Sequence, residues 1–128
     1  MQSLEGKIAL VTGAAGVLGG AVTRGFVAKG VKVAMVDLDT DRLDALSDDL
    51  GDGVMSVPMD VSSDDAITQG LADIQLAWGD PDILVNNAGI LTNNKSAETS
   101  IDEWRKVMSV NLDGAFYLAP RCLPAMKE

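Results

Sequence analysis

The sequence contains no histidine, which removes the commonest general base and the commonest metal ligand. It has one cysteine, Cys122, so no disulfide can close within the chain, and a reducing, cytoplasmic setting is expected. Basic residues are scarce: 10 Lys and Arg stand against 19 Asp and Glu, for a net charge of −9. A chain this acidic, with no Lys/Arg run, is not expected to bind nucleic acid or an anionic membrane surface. No apolar run approaches the ~20 residues of a membrane span. Residues 1–7 are short and polar, without the character of a secretory signal. What is present is a globular composition, 47% hydrophobic and 23% charged over 128 residues, the size of one domain.

Short apolar runs alternate with helical segments. Residues 7–12, 32–37, 53–59 and 82–86 read as strands, the first as a run buried on both faces. One helix is expected from the glycine-rich turn to about residue 29, stopped by Gly30. A second spans about 40–50, capped by Asp39 or Thr40 and closed by Gly51. A third begins at Ser62, with Asp65 three residues on, and ends near Gly79. Pro58 lies inside the third run and predicts an edge strand, because proline cannot donate to a ladder. Ser100-Ile101-Asp102-Glu103 is a capping box opening a last helix of roughly 25 residues. Helical spacing there predicts one apolar face made of Trp104, Val107, Met108, Leu112, Ala115, Ala119, Cys122 and Met126, with Asn111 buried within it. A buried amide must be hydrogen-bonded, so Asn111 is expected to tie down a neighbouring loop or strand. Four strands alternating with helices imply an α/β fold, a parallel sheet with right-handed crossovers.

The chemistry-bearing stretch is Thr12-Gly13-Ala14-Ala15-Gly16-Val17-Leu18-Gly19, between the first strand and the first helix. Glycine permits close backbone approach there, and the free N–H groups of the helix start attract a pyrophosphate. Gly13, Gly16, Val17, Leu18 and Gly19 are therefore candidate dinucleotide-binding residues. The same glycines also suit a tight turn with close helix–sheet packing and no ligand. A P-loop is excluded, since no Gly-Lys-Ser/Thr ending follows. Asp37, with Leu38 beside it, closes the second strand about 20 residues after the turn, where the dinucleotide fingerprint expects an acid on the ribose 2′-hydroxyl. An acid there repels the 2′-phosphate of NADP. The turn carries no lysine or arginine, and Asp39 and Asp41 add negative charge, so NAD is expected over NADP. Arg42 is the one nearby cation that softens this preference.

On these residues the chain resembles the N-terminal half of the short-chain dehydrogenase/reductase family, from about Gly6 to Met126. The most specific string is Asn86-Asn87-Ala88-Gly89 at the end of the fourth strand. The resemblance implies that Asn87, Ala88 and Gly89 support the sheet core and pass beside the adenosine. It implies that Asp60-Val61, ending the third strand, meets the adenine edge, and that Val110-Asn111 is the family's Val-Asn pair, with Asn111 ordering a water in a proton relay. It further implies a Rossmann-type, doubly wound parallel sheet in strand order 3-2-1-4, helices on both faces, and small carbonyl or alcohol substrates. Homo-oligomers pairing through the last helix present here and the one that follows it in the family are also implied. One departure stands out: the family's turn is TGxxxGxG, and Val17 takes the place of its middle glycine, with Gly16 just before it.

The family's general acid/base is a tyrosine whose pKa, ~10 when free, is lowered by a lysine one helical turn on, with a serine upstream to polarise the carbonyl. Here that Ser…Tyr-x-x-x-Lys group is expected to lie beyond Glu128. The fold is thus expected to be incomplete at its C-terminal side, and the chain alone is expected neither to turn over nor to stay dispersed. Tyr117, the only tyrosine, has Arg121 at i+4, and arginine cannot shuttle protons; packing or subunit contact is its expected role. A non-catalytic NAD-binding module and an S-adenosylmethionine-dependent methyltransferase, which also pairs a glycine turn with an acid, remain alternatives. A receiver domain does not fit, because the first strand ends in Thr12-Gly13 and not in an acidic pair.

Overall fold

The computed structural model describes residues 3–128. Four parallel strands, β1 (Ile8–Thr12), β2 (Lys32–Asp37), β3 (Val54–Pro58) and β4 (Ile83–Val85), form one sheet in the order β3-β2-β1-β4. The helices are α1 (Val17–Val27), α2 (Thr40–Leu50), α3 (Asp64–Ala77), α4 (Ile101–Met108) and α5 (Gly114–Met126). This is the doubly wound, Rossmann-like arrangement expected from the sequence, and β3 with its Pro58 is an edge strand as predicted.

Alternation along β1 and β2 explains their unbroken apolar runs. Ala9, Val11, Val33 and Met35 point to one face, where they pack with Leu43 of α2 and with Val22 and Phe26 of α1. Leu10, Ala34 and Val36 point to the other, where they meet Ile67, Leu71 and Ile74 of α3 and Leu118 and Cys122 of α5. Both faces are covered, as a parallel sheet requires. At the N-terminal end of the sheet, Asp82 accepts from the Ile8 N–H at 2.9 Å and from Lys7 Nζ at 3.2 Å, locking β4 to β1.

The boundaries differ from the sequence reading in physically instructive ways. The third helix is capped by Ser63, whose Oγ accepts from the Ala66 N–H, and not by Ser62. Ser62 is diverted because its N–H and hydroxyl both donate to Asp60 Oδ1, at 2.9 and 2.6 Å, making a turn before the helix begins. The third strand ends at Pro58, so Asp60-Val61 lies in the turn beyond it and not at the strand end. The Ser100–Glu103 capping box is present in full.

The largest correction concerns the last helix. It runs from Ile101 to Met126, but residues Ser109–Asp113 form a π-turn in which the Gly114 N–H bonds to the Ser109 carbonyl. The wider turn changes the phase of the faces. The buried side of α5 consists of Gly114, Leu118 and Cys122. Leu118, outside the expected face, is fully buried, whereas Trp104 and Leu112, inside it, are exposed. With Ile101, Phe116 and Leu123 they form a second, outward apolar stripe. Asn111, expected to be buried, is exposed.

Candidate functional site

The site is built where the chain crosses from one side of the sheet to the other, between the C-terminal ends of β1 and β4. In doubly wound sheets this switch point is the natural crevice. Three segments converge on it: the turn after β1, the end of β2 and the Asn-Asn-Ala-Gly string after β4.

Thr12 organises the convergence. Its hydroxyl is buried at the end of β1, where it accepts the Asn87 N–H at 2.9 Å and the Ala88 N–H at 2.8 Å and donates to the Val85 carbonyl at 3.4 Å. The Asn87 side-chain amide returns the contact, donating to the Thr12 carbonyl at 3.1 Å and the Gly13 carbonyl at 3.4 Å. Asn86 points the other way and donates to the Ala115 carbonyl on α5 at 3.3 Å. The two asparagines therefore clamp the β4 loop to the glycine turn and to the last helix at once. Thr12 was not among the sequence candidates. The available signal was a hydroxyl at the end of a fully buried run, which must find partners.

The turn itself depends on two glycines. Gly13 has φ +65°, a left-handed conformation, and a Cβ there would lie 2.9 Å from Asn87 Nδ2. Gly19 packs against that turn so closely that a Cβ would overlap the Gly13 carbonyl and lie 2.8 Å from Ala14 Cα. Helix α1 then starts at Gly16 with no side-chain cap and no acid in its first turn. By contrast, α2, α3 and α4 are capped by Asp39, Ser63 and Ser100 and carry acids in their first turns. The first N–H groups of α1 thus remain available, and a helix start of this kind favours an anion. Val17 is the first helical residue of α1, and its side chain is 92% exposed over the cleft.

Asp37 closes the cleft on the β2 side. One carboxylate oxygen accepts the Ala15 N–H of the glycine turn at 3.0 Å, and the other accepts the Asp39 N–H at 3.1 Å. The cap reading and the ligand reading of this acid are therefore compatible, since each oxygen keeps a lone pair to offer. Leu38 is exposed beside it. Arg42 is drawn toward Asp39, Nε to Oδ2 at 3.4 Å, and α2 is capped by that same Asp39.

Two adjoining cavities make up the crevice. One, about 360 Å³, is lined by Gly13, Gly16, Val17, Leu18, Gly19, Asp37, Asn87 and Gly89. The other, about 120 Å³, is walled chiefly by Val36, Asp37, Leu38, Asp60, Val61 and Val110. Every residue expected to touch a dinucleotide from sequence thus lines one continuous groove. Asn111 lines neither cavity but grips Ile90, which lines the smaller one, with both ends of its amide: Oδ1 accepts the Ile90 N–H and Nδ2 donates to the Ile90 carbonyl, each at 2.7 Å. It holds the β4 loop, as expected, but from an exposed position.

Tyr117 lies away from this groove. It packs half-buried against the α3/α5 core cluster, with Phe116 edge-on at 6.5 Å between ring centroids, and Arg121 bridges to Asp64.

Comparison with known proteins places this geometry. The family model for short chain dehydrogenases matches residues 7–128. NADP-dependent 3-hydroxy acid dehydrogenase YdfG of Salmonella typhi is 37% identical over 122 residues, covering 94% of this chain and 49% of that protein. A crystal structure of a short-chain dehydrogenase/reductase from Brucella melitensis superposes with a TM-score of 0.91 at 36% identity, covering 97% of this chain and 53% of that one. 3-Ketoacyl-(acyl-carrier-protein) reductase of the same organism, complexed with NADH, gives a TM-score of 0.90 at 31% identity and covers 95% and 50%. The chain spans about half the length of the relatives it matches. Sequence motif, strand order and crevice agree: the chain belongs to the short-chain dehydrogenase family of oxidoreductases.

Proposed function

We propose that residues 1–128 form the dinucleotide-binding part of an NAD-dependent short-chain dehydrogenase acting on a small carbonyl or alcohol. The observation that carries this reading is the uncapped start of α1 facing Asp37 across one groove. The glycine cradle fits a pyrophosphate: Gly13 and Gly19 leave no room for a Cβ, and the open N–H groups of Val17 and Leu18 supply the anion contacts. Asp37 takes the adenosine ribose hydroxyls. Leu38, Asp60, Val61, Ala88 and Val110 enclose the adenine, Asp60 keeping one oxygen free for its edge after Ser62 has taken the other. Gly16, Asn87 and Gly89 line the path between the two halves. When bound, the nicotinamide gives or accepts the hydride.

The amide of Asn111 holds the β4 loop at Ile90, and in our reading Asn111 orders a water for proton delivery. The packing of Tyr117 against the α3/α5 core, away from the groove, supports a packing role for it and not the acid/base role. Preference for NAD over NADP rests on charge: a 2′-phosphate meets Asp37, and the two cations lining the cavity beside the glycine turn, Arg24 and Arg42, are paired with Asp49 and Asp39. The outward stripe of Ile101, Trp104, Leu112 and Phe116 supports pairing with a second copy. Among the described residues no helix is long and apolar enough to cross a membrane; the lone, buried Cys122 supports a reducing, cytoplasmic setting. Family membership leaves the methyltransferase alternative without support.

Titration calorimetry with NAD and NADP, on the parent and on Asp37→Ala, tests the reading. NAD should bind more tightly to the parent, and the preference should shrink on the order of tenfold in the variant. A parent that binds NADP more tightly than NAD overturns the NAD assignment. A parent that binds neither overturns the dinucleotide reading itself.

A further inference from the structure

The segment Met59-Asp60-Val61, just past β3, forms the floor of the smaller cavity. It is gripped from both sides by helix glycines. On the α3 side, Gly70 faces Met59, and a Cβ at Gly70 would run into the Met59 methyl group, the far end of a flexible side chain. On the α5 side, Gly114 faces Val61. A Cβ at Gly114 would lie 2.8 Å from Val61 Cγ2, 2.9 Å from the Val61 carbonyl oxygen and 3.1 Å from Val61 Cβ. The second collision involves backbone and cannot be relieved by turning a side chain.

Gly114 reaches Val61 because the π-turn delivers it there. The turn ends at Gly114, whose N–H bonds back to Ser109, and it carries Val110 into the same cavity. Three anchors pin the helix around Gly114. Asn86 holds the Ala115 carbonyl, Leu118 and Cys122 are buried in the core, and Asn111 grips Ile90. The residual space between Gly114, Val61, Thr12 and Leu118 is only about 20 Å³. Bulk added at Gly114 therefore presses on Val61, the residue it meets and one that lines the cavity.

We infer that Gly114 is a positioning residue for the cofactor: by letting α5 approach Val61 without a side chain between them, it sets the width of the slot that takes the adenine. It touches no ligand itself. The inference rests on the dinucleotide reading above and adds a determinant to it that lies behind the pocket wall.

The test is Gly114→Ala, with Gly25→Ala of α1, where an added Cβ meets nothing within 4 Å, as the matched control, each titrated calorimetrically with AMP and with inorganic pyrophosphate. Both variants make the same change in a helix, and alanine is intrinsically the better helix former. Gly114→Ala should bind AMP on the order of tenfold more weakly than the parent while binding pyrophosphate, which needs only the glycine turn, unchanged. Gly25→Ala should bind both as the parent does. Unchanged AMP affinity in a folded Gly114→Ala overturns the inference, and so does an equal loss of AMP and pyrophosphate, which marks a merely structural residue.

If Gly114→Ala does not fold, Val61→Ala is added to remove the Cγ2 collision. The double variant should then fold and bind AMP on the order of tenfold more weakly than Val61→Ala alone. Equal affinity, or failure to recover the fold, overturns the inference. A parent that binds neither probe brings down the dinucleotide reading, whereas a parent that binds AMP beside an equally competent variant brings down only the role of Gly114.

Discussion

Thr12→Val exchanges the buried hydroxyl that joins β1 to the Asn-Asn-Ala-Gly loop for a methyl of similar shape. Two backbone N–H groups, of Asn87 and Ala88, lose their acceptor. An orphaned buried donor costs about 1–3 kcal/mol, and both residues are half-buried, so the lower part of that range applies to each. The pair then costs about 2–4 kcal/mol, offset by about 0.8 kcal/mol from burying the extra methyl. A net loss of about 1–3 kcal/mol follows. At the usual unfolding entropy per residue, a chain of 128 residues has about 0.27 kcal/mol/K, so the melting temperature should fall by about 4–11 °C. Calorimetry measures the fall. Amide hydrogen exchange locates it, with Asn87 and Ala88 losing protection while the β2–β3 ladder keeps its own. Thr12→Ser retains the acceptor and should keep both amides protected. If Thr12→Val melts within about 2 °C of the parent with those amides still protected, the hydroxyl is not the link that shapes the groove.

Other outcomes follow from the same geometry. Asp82 is held below the ordinary carboxylate range, chiefly by the Ile8 N–H, against some desolvation and with help from Lys7. Its stabilising contribution is complete above the unfolded value of about 3.9 and fades as pH falls through the lower native value. In urea melts the stability gap between the parent and Asp82→Asn should accordingly close in acid; a gap that widens refutes the sign. Gly13→Ala forces alanine into a left-handed turn at a cost of about 1–2 kcal/mol and presses on Asn87, so NAD binding should be lost in calorimetric titration. A double change, Leu112→Glu with Phe116→Glu, places charge on the outward stripe and should shift sedimentation toward a smaller species with helix content unchanged. Burial raises the Cys122 thiol above its ordinary value, with Asp80 adding to the effect. Alkylation of the native protein should therefore be slow and should accelerate on adding denaturant.

Much of the molecule is local chemistry and was legible as such. The apolar runs at Ile8–Thr12 and Lys32–Asp37, the cap at Ser100 and the left-handed glycines after helices depend on residues a few positions apart, so pattern alone places them; for the second helix pattern leaves Asp39 and Thr40 open, and Asp39 is the cap. Asp37 was legible as a candidate, and it lines the crevice, because its distance from the glycine turn is set by one strand–helix–strand unit. The Asn-Asn-Ala-Gly string was legible as a motif, but its partners were not: Asn87 meets Thr12, and Asn86 meets Ala115, across long stretches of chain.

The absences with which the sequence began did determine something by themselves: one cysteine closes no disulfide within the chain, and 10 basic residues against 19 acidic ones leave a net charge of −9. Three things only the tertiary structure decided. Ser62 was taken from the helix by Asp60, because a two-residue turn outcompetes a cap. The faces of the last helix were rephased by the π-turn at Ser109–Asp113, which no 3.6-residue periodicity can register. The slot beside Val61 was set by Gly114, because the separation of two packed elements belongs to neither element's own sequence. Local patterns encode which residues turn inward; how closely the inward faces approach depends on atoms brought together only when the chain has folded.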